Sequence, residues 1–200
     1  MAQPIDLPQT YLVTPEPPAD RPFAEFVGRL ERALESGIRL VQLRAKTLTA
    51  LQYAQLAEQA LACCRRHEAR LLLNAPADMA RSLQADGVHL TSTRLMACGS
   101  RPLPAEFLMS AACHDEAQVL HANRIGADLV TISPVLPTAT HTTAEPLGWL
   151  RFRELAALGN APVYALGGMS LATLEQAREA GAHGIAAIRA LWERGECGAK

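Results

Sequence analysis

The sequence predicts an α/β fold, a closed (β/α)8 barrel of the TIM type, formed by a single domain over residues 1–200 with its core at 10–192. Short β-type runs recur along the chain, each followed by a stretch of helical periodicity, and strict βα alternation makes a parallel sheet covered by helices. Eight such runs in 200 residues favour closure, at the small end of the barrel's size range. An open doubly wound sheet is the alternative, but no G-x-G-x-x-G follows the first run.

The elements follow in order. "TYLVT" (10–14) is the first strand, and "FAEFVGRLERALESG" (23–37) repeats apolar residues every three or four positions until Gly37 stops the helix. "LVQLRA" (40–45) is the second strand, and "TALQYAQLAEQALACCRRH" (49–67) is again an amphipathic helix. "RLLLNA" (70–75), "GVHL" (87–90), "FLMSAAC" (107–113), "LVTISPV" (129–135), "VYALGG" (163–168) and "GIAAI" (184–188) supply the remaining strands. "SLATLEQAREAGA" (170–182) reads as a helix with Ser170 as N-cap and Gly181 as C-cap.

Composition excludes several classes. Nineteen Lys plus Arg against twenty Asp plus Glu leave a net charge of −1, so no overall field recruits nucleic acid or an anionic membrane, and any anion recognition is local. With 4% aromatic residues there is no stacking platform for bases. No apolar run of about 18 residues occurs, and the opening stretch has neither a basic n-region nor an apolar h-region, so a cytoplasmic protein with no membrane contact is expected. The five cysteines are odd in number, include no C-x-x-C and set Cys63 beside Cys64, which argues against a disulfide framework or a zinc site.

Candidate site residues come from the strand ends. "VQLRAK" (41–46) alternates, so Gln42, Arg44 and Lys46 share one face and Val41, Leu43 and Ala45 the other. Active sites of such barrels gather at the C-terminal ends of the strands, so Arg44 and Lys46 are expected at the mouth. Cations taken out of water need partners; either an anionic ligand or carboxylates from neighbouring strands face them, and the sequence leaves both open. Gly167 and Gly168 permit close approach of a ligand, and loops after the seventh and eighth strands often hold phosphate, which this position favours; a tight turn alone is the other reading of the pair. Arg189 is placed to add a charged contact or to cover a helix end.

His114, after the fifth strand, is placed for acid–base work near neutral pH, or else "HDE" merely opens the next helix with Asp115 as its cap. His89 reads as a satisfied core residue of undetermined facing. Thr138 and Thr140 lie in a polar segment, 137–149, that suits a mobile loop over the mouth whose hydroxyls bind phosphate, or a solvated loop.

The blocks "YLVTPE", "VQLRAK", "LLLNA", "ADGVHL", "SAACH", "GADLVTISPVLPTATH", "PVYALGG" and "GAHGIAAI" together resemble the thiamine phosphate synthase superfamily, which includes the TenI-type thiazole tautomerases. The resemblance implies a barrel that binds a phosphorylated thiazole or thiamine phosphate at its C-terminal mouth, and a homodimer. Synthases of this kind join hydroxymethylpyrimidine pyrophosphate to thiazole phosphate with magnesium and a Lys–Arg cluster. By the same resemblance Gln42, Arg44 and Lys46 match the Gln-Leu-Arg-x-Lys block, Asn74 the asparagine after the third strand, and Gly167 and Gly168 the phosphate-contacting pair.

Other positions depart from the synthase pattern. Ala75 and Arg94 stand where metal-binding carboxylates are expected, Ala112 where a serine precedes the strand-5 histidine, His141 where a lysine closes a Thr-x-Thr-Lys loop, and Arg189 where a small serine follows the eighth strand. Magnesium takes oxygen ligands, usually carboxylates, which Ala and Arg cannot supply. The resemblance therefore points to a TenI-like tautomerase or a degenerate homologue with no metal and no other cofactor, magnesium belonging only to the synthase alternative. In the tautomerase branch His114 matches the histidine that moves a proton during aromatisation of the phosphothiazole. A third reading comes from "RLLLNA", "ACHD", "ISPVLPT" and "GIAAIRALW", which most resemble the barrel domain fused to Nudix hydrolases; it implies a non-catalytic, ligand-sensing partner of a Nudix hydrolase.

Overall fold

The computed structural model describes residues 6–18, 20–138 and 145–193. Strands β1 (Thr10–Val13), β2 (Leu40–Leu43), β3 (Arg70–Leu73), β4 (Gly87–Leu90), β5 (Leu108–Cys113), β6 (Leu129–Ile132), β7 (Val163–Leu166) and β8 (Gly184–Ala187) alternate with α1 (Phe23–Glu35), α2 (Ala50–Arg66), α3 (Ala77–Ser82), α4 (Ser92–Ala97), α5 (Glu116–Arg124), α6 (Gly148–Ala156), α7 (Leu174–Glu179) and α8 (Arg189–Trp192). Each strand pairs in parallel with the next. β8 returns to β1, with Thr10 opposite Ile185 and Leu12 opposite Ala187, so the sheet closes into the expected barrel.

The alternation of side chains along each strand builds two cores. Leu12, Val41, Leu43, Leu71, Leu73, Met109 and Ile185 face outward and pack under the apolar stripes of the helices, among them Leu30 and Leu34 of α1 and Leu56 and Leu61 of α2. The opposite parity sends Tyr11, Leu40, Leu72, Leu108, Leu129 and Tyr164 into the barrel, where they form a separate cluster. Fully burying one such side chain stabilises the fold by about 1.5–3 kcal/mol, so either parity error would be severe. Thr49 and Gln52 form a capping box at the start of α2.

Several elements are shorter than their sequence patterns. β2 ends at Leu43, before Arg44 and Lys46. β6 ends at Ile132 because Pro134, after a cis Ser133–Pro134 peptide, has no N–H for the ladder. β7 ends at Leu166 because Gly167 and Gly168 leave the extended region with φ of +98° and +70°. The helix expected over 170–182 divides into a 3-10 turn, Leu171–Thr173, and α7; the Ser170 N–H donates to Thr173 Oγ1 at 3.0 Å, and Gly181 follows the helix end as expected. Among the described residues no helix is long and apolar enough to cross a membrane, and Cys63, Cys64, Cys98 and Cys113 are free thiols.

Candidate active site

Above the apolar layer inside the barrel, Val13 and Leu166 continue it on β1 and β7, while the next inward positions of β2, β4, β5 and β6 are polar. Gln42, His89, Ser110 and Thr131 are all buried there. Over them opens a cavity of about 940 Å³. Gln42, Arg44, Lys46, Asn74, His114, Thr138, Gly167, Gly168 and Arg189 all line it, so the barrel brings the described candidates to one mouth. Thr140 and His141 lie outside the described residues.

The buried polar groups are linked to one another. Arg94 Nη1 donates to Asn74 Oδ1 at 3.1 Å, Asn74 Nδ2 to Gln42 Oε1 at 3.3 Å, and Gln42 Nε2 to the Tyr11 hydroxyl at 3.3 Å. Tyr11 donates to Ser110 Oγ at 3.5 Å, and Ser110 Oγ sits 2.9 Å from His89 Nδ1. Burial, with the charge of Arg94 adding to it, pushes the His89 imidazole down to about 3, so the ring is neutral. His89 is thus both a satisfied buried side chain and part of the cavity wall.

The strand-2 cations differ in what faces them. Glu16, in the loop after β1, lies 3.5 Å from Arg44 Nη1. Its other oxygen accepts from the Thr47 N–H at 2.8 Å and the Thr47 hydroxyl at 2.7 Å. Partial burial opposes ionisation of Glu16, but the Thr47 and Lys46 N–H groups, the Thr47 hydroxyl and Arg44 outweigh it and hold the carboxyl below its ordinary value. Lys46 is exposed at the rim.

Asp115 takes the capping role the sequence offered, and His114 stands beside it on the cavity wall. Asp115 caps α5, accepting from the Gln118 N–H at 2.9 Å. His114 precedes the cap, exposed, with Nδ1 2.7 Å from the Ser133 carbonyl oxygen. A carbonyl only accepts, so Nδ1 carries a hydrogen in this bond, and in a neutral ring Nε2 would then be the acceptor nitrogen.

The glycine pair is dictated by the backbone. A Cβ on Gly167 would meet Pro134 Cα at 2.8 Å, and one on Gly168 would meet Leu136 Cβ at 2.7 Å and the Pro137 carbonyl oxygen at 2.9 Å. The carbonyls of Leu166 and Gly167 accept from the N–H groups of Val135 and Leu136, at 2.9 Å and 3.1 Å. The tight turn is therefore real, and it is also the cavity wall.

The donor set suits an anion. Among the described residues the only carboxylate lining the cavity is Glu145, and Asn74 Oδ1 is engaged by Arg94. Magnesium is usually held through one or two carboxylates together with waters and substrate phosphates, and Glu145 is the one such group this described wall offers. Away from the mouth, Glu31, Cys63 and His67 bring ligand atoms within 4.8 Å of one another, a group that no short-range cysteine motif announces. The Glu31 oxygen facing His67 already accepts from Arg66 at 2.7 Å.

A family model described as thiamine monophosphate synthase (TMP-TENI) matches residues 10–191. The chain belongs to the thiamine monophosphate synthase family. It is similar to the thiamine-phosphate synthase of Thermus thermophilus, 39% identical over 165 residues that cover 82% of this chain and 79% of that one. It is also similar to the thiamine-phosphate synthase of Methanospirillum hungatei, 33% identical over 186 residues, 90% of this chain and 88% of the other. The solved thiamine phosphate pyrophosphorylase of Pyrococcus furiosus shares the fold, with a TM-score of 0.73 over 94% of this chain and 92% of that one at 22% identity.

Within this thiamine-biosynthesis family barrel, the local sequence does not single out Glu16, Tyr11 or Ser110, and it marks Arg94 only as a departure from the synthase pattern. Inward parity was the available signal for Tyr11 and Ser110. For Glu16 nothing local marks it, because its partners sit on the next βα unit.

Proposed function

We propose that this member of the thiamine monophosphate synthase family is a metal-independent, TenI-like tautomerase acting on a phosphorylated thiazole. The observation that carries the reading is Arg94 bound to Asn74 Oδ1: a guanidinium occupies the oxygen that a metal site would need free, on a wall with a single described carboxylate. Gly167, Gly168, Thr138 and Arg189 receive the phosphate, and Arg44 and Lys46 meet the other anionic end of the substrate. His114 takes a proton from the non-aromatic ring carbon through Nε2. The electron pair enters the ring as it aromatises, and the proton returns at a second carbon. No electrons leave the substrate, so neither metal nor redox cofactor is consumed.

General acid–base catalysis contributes about 10²–10⁴-fold, so His114→Ala should lower turnover of the phosphothiazole tautomer by that factor. Unchanged turnover in that variant removes the assignment.

The synthase reading is favoured by the names of relatives at 33–39% identity. Incubation with hydroxymethylpyrimidine pyrophosphate and thiazole phosphate, with and without magnesium, separates the two: magnesium-dependent thiamine phosphate overturns the tautomerase reading. Binding of phosphothiazole without turnover in either assay leaves the ligand-sensing partner of a Nudix hydrolase.

A further inference from the structure

A hydrogen-bond chain acquires a direction when one end can only donate. Arg94 has no acceptor atom, so it engages Asn74 through Oδ1 and turns Nδ2 toward Gln42. Gln42 spends its Oε1 on Asn74 and presents Nε2 to Tyr11. Burial pushes the Tyr11 phenol up to about 12, so it keeps its proton, and with its oxygen accepting from Gln42 that proton goes to Ser110, across the longest link at 3.5 Å. The Ser110 hydrogen is then left for His89 Nδ1 at 2.9 Å. The circuit starts on α4 and returns to β4, near in sequence to where it began, after crossing the interior through the residue after β3, then β2, β1 and β5.

We propose that Arg94 is a positioning residue that acts through this chain to hold His89 in its Nε2–H tautomer, so that the cavity wall offers a fixed hydrogen-bond donor and selects ligands with an acceptor, a ring nitrogen or a carboxylate oxygen, at that level. His114 has the opposite assignment, its Nδ1 bound to a carbonyl, so the two histidines of the mouth present complementary groups, one donor and one lone pair. This inference does not rest on the proposed reaction, because its readout is a property of the ligand-free protein.

The test is nitrogen-15 NMR of the imidazoles at neutral pH, with the His89 signals identified by their loss in His89→Gln. The wild-type protein should show an unprotonated Nδ1 and a protonated Nε2. Arg94→Glu replaces a pure donor with a pure acceptor and should reverse every link, moving the proton to Nδ1. Arg94→Lys, still only a donor, should retain Nε2–H. In a Tyr11→Phe background the chain is cut, and Arg94→Glu should no longer change the tautomer. A wild-type Nδ1–H, or a tautomer that ignores Arg94→Glu in the intact chain, overturns the proposal. A merely structural Arg94 would alter stability and leave the tautomer as it was.

Discussion

Glu16 and Arg44 meet at 3.5 Å across the loops that follow the first two strands, and the same carboxylate holds Thr47 by two hydrogen bonds. One acidic side chain thus fixes the start of the second βα loop and neutralises one cation of an otherwise basic mouth. Glu16→Gln should therefore have two effects of opposite sign. Stability should fall by about 0.2–1 kcal/mol, the range for a solvent-exposed ion pair. Affinity for inorganic phosphate should rise, because Arg44 loses its internal counter-ion. Denaturant melts and a phosphate titration on the same variant read both, and a variant that binds phosphate more weakly contradicts the second.

The Gly167–Gly168 turn tolerates no side chain. Alanine at either position would combine positive φ with a Cβ closer than 3.0 Å to the backbone or side chains after β6. Each substitution should destabilise the fold by about 1–3 kcal/mol, the range for a residue held in a sparsely populated backbone region. Phosphate affinity should drop with it, since the displaced segment is the cavity wall. Thermal melts with and without phosphate measure this, and a full-strength ligand-induced shift in Gly168→Ala would speak against the glycine wall as an anion site.

Acid should weaken the barrel through His89. Its folded-state value, about 3, lies below the ordinary 6.5, so the unfolded chain takes up the proton first. The stability that comes from keeping this ring neutral is complete above pH 6.5 and is lost progressively as pH falls toward 3. Urea unfolding at pH 7, 5.5 and 4.5, chosen about that window, should show falling midpoints, with a shallower fall in His89→Gln. Equal slopes for the two proteins would assign the acid sensitivity elsewhere.

Arg101 gives a contrast among the cations. It bonds the carbonyls of Leu103, Phe107 and Gly126 and pairs with Asp128 at 2.7 Å, while Asp128 also accepts from the Met109 N–H. Arg101→Ala should cost about 1–3 kcal/mol, since it strands a charged acceptor and several carbonyls. Phosphate affinity of the folded variant should stay unchanged, because Arg101 is not on the cavity wall. Arg189→Ala should show the reverse, near-native stability with weakened phosphate binding, in an isothermal titration.

Much of this molecule is legible locally. Strand parity and helical period are properties of adjacent residues, so the eight βα units, the cap at Asp115 and the stop at Gly37 follow from short stretches of chain. The C-terminal strand ends likewise direct Arg44, Asn74, His114 and Gly168 toward one mouth. Local pattern overstates strand length, because Pro134 and the positive φ of Gly167 end pairing where apolarity continues.

What the amino-acid order determined by itself was the periodicity, hence which face of each element is apolar and which polar groups stand at the strand ends. Closure of the sheet decided the rest. Tyr11 reaches Ser110 over 99 positions and Arg44 reaches Glu16 over 28, and such pairs are chosen by barrel register and geometry that no neighbouring residue encodes. Whether a polar side chain is a solvated rim, a counter-ion or a link in a directed chain depends on what the curved sheet brings opposite it, since hydrogen bonds and ion pairs act over a few ångströms of space and not along the sequence.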